Sequence, residues 1–377
     1  MDIIIDGIIF ENQLYGGISG IYAEILPRIC DLDPTVNITI LTAAPIKRSL
    51  PIHARIRHIA MPGLQRIIPG RWFHNFKRTI RGALFRFAPV QVKEDTIWHS
   101  TFYTLPFQWR GLNVLTIPDM IGELFPPLNN CQINERFRVY KRLCAEKSDA
   151  IICISKSAAS DVLAHYEFAG SKLIFSIPLA CSTVFQELPN AAQHYQTPTN
   201  KGFLLYVGKR QTYKNFAQLL DTYTKWSFRS SIDLVVVGSP WDSSEQGLIW
   251  EFGLEQNIHL LAQISDEDLC CLYNLALAFI YPSLYEGFGI PLVEAMACGC
   301  PIVASRIPSS LEVAKEVPIY FDPAQSDDLL HALDLVMQEG RNSDRTQKGL
   351  KLAKEYSWDK TAAQTLEVYK TLILHKS

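Results

Sequence analysis

Short apolar runs alternate with helical patterns along nearly the whole chain, and this alternation restricts the fold more than any other feature. The runs that predict strands are residues 3–5, 38–41, 96–99, 114–117, 150–154 and 173–177 in the first half and 203–207, 234–237, 258–261, 278–281, 301–304 and 319–321 in the second. Strands that alternate with helices are typical of mostly parallel sheets covered by helices. The pattern therefore predicts an α/β protein.

The length of 377 residues exceeds what one hydrophobic core usually organises, so two domains are expected. A polar stretch with two prolines, residues 186–201, separates the two series of apolar runs. We therefore predict an N-terminal domain over 1–185, a linker over 186–201 and a C-terminal domain over 202–359. Each domain is expected to be doubly wound. Two such domains joined by a linker imply a central cleft between them, with ligands at the carboxyl ends of the strands.

The composition is that of an ordinary globular protein, with 48% apolar and 20% charged residues. No run reaches the roughly 18 uncharged apolar residues that a membrane span needs, and no basic leader precedes the first strand, so we expect a cytoplasmic protein. The nine cysteines are odd in number and lie mostly within apolar runs, which favours a reducing compartment. Cys298 and Cys300 have no partner at metal-ligand spacing, so packing is the preferred interpretation and no metal is expected.

The segment 66–87 interleaves aromatic residues with arginine and lysine, in a region from 34 to 93 that contains no acidic residue. One interpretation is a helix that lies on an anionic membrane surface or binds an anionic partner. The other is an amphipathic helix that covers a core. Nucleic acid is not an expected partner, because no recognition motif accompanies the charge.

The stretch Tyr285-Glu-Gly-Phe-Gly-Ile-Pro-Leu-Val-Glu294 holds two glutamates eight positions apart. The glycines and Pro291 exclude a helix through the gap, so Glu286 is predicted on a loop and Glu294 near the start of the following helix. Glycines permit a close approach of the backbone to a ligand, and a helix start favours phosphate. Two carboxylates held in this way suit a ligand rich in hydroxyl groups, although Glu294 alone also fits a favourable charge near a helix N-terminus.

A second glycine-containing turn follows the strand at 203–207. Behind Gly208 come Lys209, Arg210 and Lys214, and three cations after a strand can neutralise a diphosphate leaving group. As isolated residues they would be ordinary surface cations. Their position after a strand of the same domain as the glutamate loop favours a functional role.

The N-terminal domain offers weaker candidates at its strand ends. Gly16 and Gly17 form an anion-tolerant turn at a helix start, but their spacing does not fit a dinucleotide fingerprint. His99 and Asp119 follow two further strands and are predicted near the same cleft edge. A lone histidine after a strand is more often structural, so both interpretations of His99 stay open.

Taken together, these stretches resemble the retaining GT-B glycosyltransferases of family 4 over most of the chain. The residues from Tyr281 to Pro301 are similar to that family's E-x7-E signature almost residue for residue. Further stretches in family order are Gly208 to Arg210 with Lys214 and Asn215, then 236–238, 265–269, 309–313 and 356–359.

The resemblance implies that the C-terminal domain binds a nucleotide-diphosphate sugar and that the N-terminal domain binds the acceptor, a glycan or lipid-linked oligosaccharide. Glu286 would contact hydroxyls of the transferred sugar, and Glu294 the ribose. Lys209 or Arg210 would hold the diphosphate together with Lys214. The backbone lining the sugar and phosphate would come from Gly208, Gly287, Phe288, Gly289 and Ile290. Family members retain the anomeric configuration, and no metal or other cofactor is then expected.

One departure concerns the N-terminal domain, where many family members have His-Asp and this chain has Pro118-Asp119. The family's histidine contacts the donor sugar through its side chain, whereas Pro118 keeps only the backbone carbonyl. Either the donor is held differently here, with help from His99, or activity is weakened. The resemblance also implies that the final helix, predicted over 360–377, packs back on the N-terminal domain.

The sequence thus predicts a glycosyltransferase of surface polysaccharide or lipid-linked glycan synthesis, cytoplasmic and peripheral on the inner face of the membrane, with GDP-mannose as the preferred donor. A sugar-nucleotide epimerase is disfavoured, because the E-x7-E loop is the transferase form. The rival from another class is a non-catalytic nucleotide-sugar-binding or scaffold protein, which Pro118 motivates.

Overall fold

The structure is a computed structural model that describes residues 1–12, 17–61, 85, 88, 90–106, 108–125 and 131–376. The chain divides into two compact units. Unit 1 comprises Met1–Leu179 and Trp358–Ser377, and unit 2 comprises Ala180–Ser357.

The described part of unit 1 is built around a sheet of seven strands. These are β1 (Asp2–Asp6), β2 (Asn37–Thr42), β3 (Ile56–Ala60), β4 (Ile97–Ser100), β5 (Leu112–Ile117), β6 (Ala150–Cys153) and β7 (Leu173–Ser176). Their order in the sheet is β3-β2-β1-β4-β5-β6-β7, and every neighbouring pair is parallel. The helices between them are α1 (Ile8–Asn12), α2 (Gly17–Leu32), α3 (Ile121–Leu124), α4 (Cys131–Lys147) and α5 (Lys156–His165).

Unit 2 repeats the plan with six parallel strands. These are β8 (Gly202–Val207), β9 (Ile232–Val237), β10 (Ile258–Leu261), β11 (Ala278–Tyr281), β12 (Ile302–Ser305) and β13 (Ile319–Phe321). Its helices are α6 (Ala191–His194), α7 (Phe216–Lys225), α8 (Ser243–Glu251), α9 (Asp266–Leu275), α10 (Ile290–Ala297), α11 (Pro308–Ala314), α12 (Ser326–Glu339) and α13 (Asp344–Ala353). The order β10-β9-β8-β11-β12-β13 is that of a doubly wound sheet, so the strand order reverses between β8 and β11.

The strands are buried apolar runs, as parallel strands covered on both faces should be. In β9, for example, every residue from Ile232 to Val237 is buried. The predicted α/β fold with two doubly wound sheets is confirmed, and each predicted run coincides with a strand. The sequence analysis missed β3, because this edge strand carries exposed Arg57 and His58 and does not form an apolar run.

The last helix, α14 (Trp358–Lys376), belongs to unit 1. The Thr361 hydroxyl donates to the carbonyl oxygen of Pro178 at 2.8 Å, and Lys370 pairs with Asp33 at 3.0 Å. Among the described helices, none is long and apolar enough to cross a membrane.

The boundary between the units lies earlier than the sequence suggests. Residues 180–185 group with unit 2, although the predicted N-terminal domain extends to 185. The predicted linker 186–201 contains α6 and packs on α9, since Asn274 accepts from the Leu188 amide at 2.8 Å and donates to the Gln186 carbonyl at 2.9 Å. The polar, proline-containing composition of this segment indicates that it is exposed. Composition does not indicate the contacts that its backbone makes with α9.

Candidate active site

The carboxylate of Glu286 lies in the loop between β11 and α10, where the strand order of unit 2 reverses. Its Oε1 atom accepts two hydrogen bonds, from Lys214 Nζ at 2.5 Å and from the Ser283 hydroxyl at 2.6 Å. Glu286 is only 9% exposed. Burial, together with the adjacent Glu286 carboxylate, raises the pKa of the Tyr281 hydroxyl well above its ordinary value. The loop thus holds its carboxylate in one place before any ligand arrives.

Lys214 reaches this carboxylate from the turn that follows β8. The turn is a 3-10 helix, Thr212–Lys214, and Asn215 leaves it in the left-handed conformation at φ 57° to begin α7. The Leu284 amide donates to the Tyr213 carbonyl at 2.7 Å, which ties this turn to the glutamate loop. The Lys214 side chain is 18% exposed, so the turn places a partly solvated cation beside the glutamate loop.

The glycine loop between the two glutamates is anchored at Phe288 and turns at Gly289. Phe288 is buried edge-on against Tyr356, with ring centroids 5.8 Å apart. Gly289 has φ 112° and caps the start of α10, a conformation that L side chains rarely adopt. A Cβ atom there would also lie 3.1 Å from Leu292 Cδ1. The loop, which also contains Gly287, therefore requires glycine at position 289 to turn into α10, which begins at Ile290.

Glu294 lies on α10 and is paired with a tyrosine of α9. The Tyr273 hydroxyl, which is buried, donates to Glu294 Oε2 at 3.0 Å. Burial raises the pKa of Glu294 to about 7, and the Tyr273 hydrogen bond opposes this shift. Near neutral pH, this carboxyl group is therefore present in both its protonated and its ionised forms.

The cations behind β8 differ in exposure and in their partners. Lys209 is exposed, next to the open backbone at Gly208. The Arg210 side chain is 2% exposed and donates to both carboxylate oxygens of Glu245, at 2.8 and 2.9 Å. Its guanidinium also stacks 4.4 Å from the Trp241 ring centroid. Arg210 therefore joins β8 to α8 through Glu245, while its Nη1 atom is buried without a hydrogen-bond partner.

His99 is a core residue of unit 1 and not a side chain at a cleft edge. Its ring nitrogens form hydrogen bonds with Tyr369 Oη at 2.6 Å and with Thr116 Oγ1 at 2.8 Å. The residue is 1% exposed. Burial lowers the pKa of His99 to about 3, so the ring is neutral at physiological pH. The burial of its ring favours the structural interpretation that the sequence left open over a contact with a donor.

Asp119 and the buried Pro118 follow β5, as predicted. The Asp119 side chain accepts from the Ile121 amide at 3.1 Å at the start of α3. Its carbonyl oxygen accepts from the buried Lys141 at 2.7 Å, and Lys141 also pairs with Glu123 at 2.9 Å. This loop is therefore held in place by a buried ion pair of unit 1.

Two other predicted features lie partly or almost wholly outside the described residues. Gly17 begins α2, whereas Gly16 and all of the segment 66–87 except Phe85 lie outside the described residues. Within the described ranges, no group of three or more His, Cys, Asp or Glu residues is arranged to hold a metal ion. Cys298 and Cys300 are buried thiols of unit 2.

Sequence reasoning missed the side chains that hold the two glutamates. Ser283 precedes Glu286 by three residues, and this spacing within a loop could have indicated a local hydrogen bond. Tyr273 gave no such signal, because a tyrosine in an apolar helix usually indicates only the core. The pairing of Arg210 with Glu245 joins two elements that are distant in sequence.

Two doubly wound parallel sheets, with a lysine–glutamate pair beside a glycine loop where one strand order reverses, define the class of GT-B glycosyltransferases. Comparisons with known proteins agree. Residues 189–351 match the family described as glycosyl transferases group 1. The chain is therefore a glycosyltransferase of the GT-B fold, and its similarity to the glycosyl transferases group 1 model lies within unit 2.

Individual relatives extend the similarity to most of the chain. The O-antigen chain mannosyltransferase B of Escherichia coli is 28% identical over 74% of this chain and 75% of its own length. Other mannosyltransferase relatives match over only 28% to 56% of their own length. The rival interpretation as a non-catalytic scaffold protein is not favoured.

Solved structures share the fold. Sucrose-phosphate synthase from Thermosynechococcus elongatus superimposes with a TM-score of 0.80 at 19% identity over 100% of both chains. Anabaena Alr3699/HepE, solved in complex with UDP and glucose, has a TM-score of 0.70 at 15% identity over 97% of this chain and 98% of its own. At these identities the likeness concerns the fold alone.

Proposed function

We propose that this chain is a retaining mannosyltransferase of family 4 that transfers mannose from GDP-mannose to a glycan or lipid-linked acceptor of a surface polysaccharide. The observation that carries the proposal is the Lys214–Glu286 pair beside the glycine loop of unit 2. The mannosyl donor is supported by the similarity to the Escherichia coli O-antigen mannosyltransferase.

In this proposal the Glu286 carboxylate accepts hydrogen bonds from hydroxyls of the transferred sugar. Lys214 and the exposed Lys209 neutralise the diphosphate as the glycosyl–phosphate bond breaks, when negative charge develops on the leaving group. We assign Arg210 no direct part in that step, because its Nε and Nη2 atoms donate to Glu245. It keeps the turn that presents the two lysines in position.

The Glu294 carboxylate binds the ribose hydroxyls, and the backbone of Gly208, Gly287, Phe288, Gly289 and Ile290 lines the sugar and phosphate. Retention follows if the leaving phosphate takes the acceptor's proton during attack on the same face. Because lysines supply the positive charge, we propose that transfer needs no metal. Activity that survives dialysis against EDTA supports this, and activity restored only by a divalent cation contradicts it.

A peripheral place on the cytoplasmic face of the membrane is proposed from the sequence of 66–87. Cations and aromatics interleaved in this way suit an anionic surface. Replacing Arg78, Arg81 and Arg86 with glutamate should abolish co-sedimentation with vesicles of anionic lipid. Unchanged sedimentation would refute the membrane contact and leave the transferase proposal intact.

The experiment that tests the proposed reaction has two stages. Calorimetric titration with GDP, UDP, ADP, CDP and TDP should show binding of GDP, and the purified protein should then transfer mannose from GDP-mannose to a glycan acceptor with retention of configuration. The Glu286→Gln variant should lose transfer, whereas the matched change at exposed Glu255 should keep it. Preference for UDP, with transfer of another sugar, would overturn the mannosyl donor.

A further inference from the structure

Arg341 makes an unusual set of contacts outside the glutamate loop. It lies in the short connection between α12 and α13, directly after Gly340, whose φ of 65° turns the chain. Its guanidinium donates to four backbone carbonyl oxygens, which belong to Tyr273 (2.7 Å), Ala276 (2.9 Å), Cys298 (3.2 Å) and Gly299 (2.6 Å). One side chain thus joins two segments of unit 2 that are distant from it in sequence.

These carbonyls stand at the C-terminal ends of two helices. Tyr273 lies in the last turn of α9 and Ala276 follows it, while Cys298 and Gly299 follow α10. The last carbonyl groups of a helix have no partner within the helix and carry a partial negative charge. A guanidinium placed between both ends satisfies the four oxygens and draws the helices together. The close packing there is visible in the 3.7 Å separation of the Cys270 and Cys298 sulfur atoms.

The same two helices carry the Tyr273–Glu294 pair of the candidate site. Glu294 lies one helical turn before Cys298, and the Cys298 amide donates to the Glu294 carbonyl at 3.0 Å. Arg341 binds the carbonyl of Tyr273 itself, whose hydroxyl donates to the Glu294 carboxylate. The distance between that hydroxyl and that carboxylate therefore depends on how α9 and α10 are joined.

We propose that Arg341 is a positioning residue for donor binding, which holds α9 and α10 at the spacing that presents Glu294 to the nucleotide. The inference rests on the proposed ribose-binding role of Glu294. A residue that only capped two helices would lower stability when removed and leave the nucleotide affinity of the folded protein unchanged.

Arg345 provides a matched control four residues away. It also donates to backbone carbonyls, those of Glu316 at 2.8 Å and Pro318 at 3.3 Å, but these lie beside β13 and not on the helices of the pair. Arg345→Gln and Arg341→Gln therefore both remove carbonyl contacts of an arginine, and Arg345→Gln also removes an ion pair with Glu339 at 3.3 Å. Only the second should change nucleotide binding.

The test is a double-mutant cycle read by calorimetric titration with GDP, using Arg341→Gln, Glu294→Gln and the double variant of the full chain. Arg341→Gln should weaken GDP binding roughly tenfold in the wild type, since small misplacements are costly at a preorganised site. In the Glu294→Gln background it should add less than about twofold. Arg345→Gln should change affinity by less than about twofold, whatever its effect on melting temperature.

Full additivity of the two substitutions, or equal effects of Arg341→Gln and Arg345→Gln, would overturn the positioning role. If Arg341→Gln does not fold, Arg341→Lys serves in the same cycle, because an ammonium group reaches fewer of the four carbonyls and should produce a partial loss. Unchanged GDP affinity in Glu294→Gln alone would instead overturn the ribose role, and with it this inference.

Discussion

The two units share a sheet plan, but they treat the point of strand reversal in opposite ways. In unit 1, β1 ends at Asp6, which is fully buried. Its carboxylate accepts from the Ser100 hydroxyl at 3.0 Å and the Thr101 amide at 2.8 Å and also binds the Thr104 hydroxyl. In unit 2, the corresponding place holds the Lys214–Glu286 pair, which is partly open to solvent.

The difference shows that the same place in the sheet plan can hold either a structural carboxylate or a candidate ligand-binding carboxylate. Burial raises the pKa of Asp6 to about 6, against its hydrogen bonds to the loop that follows β4. The hydrogen bonds that it accepts from Ser100, Thr101 and Thr104 occupy the carboxylate and hold this loop in place. Position at a strand end is therefore insufficient to identify a ligand-binding carboxylate. The hydrogen-bond partners of the carboxylate within its unit distinguish a structural group from a ligand-binding one.

Two lysine–glutamate pairs make the same contrast testable. Lys141 and Glu123 in unit 1 are 2.9 Å apart with side chains 1% and 10% exposed, and the Tyr166 hydroxyl also donates to Glu123. Lys214 and Glu286 in unit 2 are 2.5 Å apart but more exposed on the lysine side. We expect the first pair to serve stability and the second to serve transfer.

The largest effect on stability is expected for Lys141→Met. Removing one member of a buried pair leaves a buried carboxylate without its counter-charge, which costs about 3 to 5 kcal/mol. Urea unfolding measures this loss. Lys147→Met, at an exposed position of the same helix, should cost less than about 1 kcal/mol, and equal losses in the two variants would contradict the assignment.

Lys214→Met should reverse the pattern. Transfer, measured as kcat/KM, is expected to fall by about 10²- to 10³-fold, because a charge that stabilises the leaving diphosphate is lost. The free energy of unfolding should fall less than in Lys141→Met, by roughly 1 to 3 kcal/mol, since Lys214 is more exposed than Lys141 and Glu286 keeps its hydrogen bond from Ser283. The exposed Lys348→Met serves as control. Retained transfer together with a large loss of stability would remove the distinction between the two pairs.

A smaller effect, on the pH dependence of the free energy of unfolding, is expected for Glu294→Gln in the absence of ligand. The pKa of Glu294 is raised from 4.5 to about 7 in the folded protein, so the unfolded chain loses this proton first as pH rises. Stability from this group is therefore present below about pH 4.5 and is lost as pH rises towards 7.

Glu294→Gln removes that loss, so the variant should be more stable than the wild type at pH 8 by on the order of 1 to 3 kcal/mol and about equal to it at pH 4.5. Urea unfolding at both pH values tests this. The exposed Glu255→Gln should show no such pH-dependent difference. A Glu294→Gln variant that is less stable at pH 8 would contradict a buried, desolvated carboxyl group.

The sequence predicted the parallel strands well, because buried strands are apolar runs whatever their partners. It also placed Glu286 on a loop and Glu294 on a helix, since glycine and Pro291 determine local geometry. It could not assign Arg210 or His99, whose roles depend on Glu245, Thr116 and Tyr369 at long sequence separation. Arg341 was invisible for the same reason, because its acceptors are backbone carbonyls.

The most direct test of the account is amide hydrogen exchange of the full chain with and without saturating GDP. We predict protection confined to unit 2, in residues 208–215 around Lys214 and 284–297 around the two glutamates. The corresponding reversal point of unit 1, residues 4–8 and 98–104, should exchange at unchanged rates. Protection centred on the Asp6 loop, or none around Glu286, would contradict the assignment of the nucleotide site to unit 2.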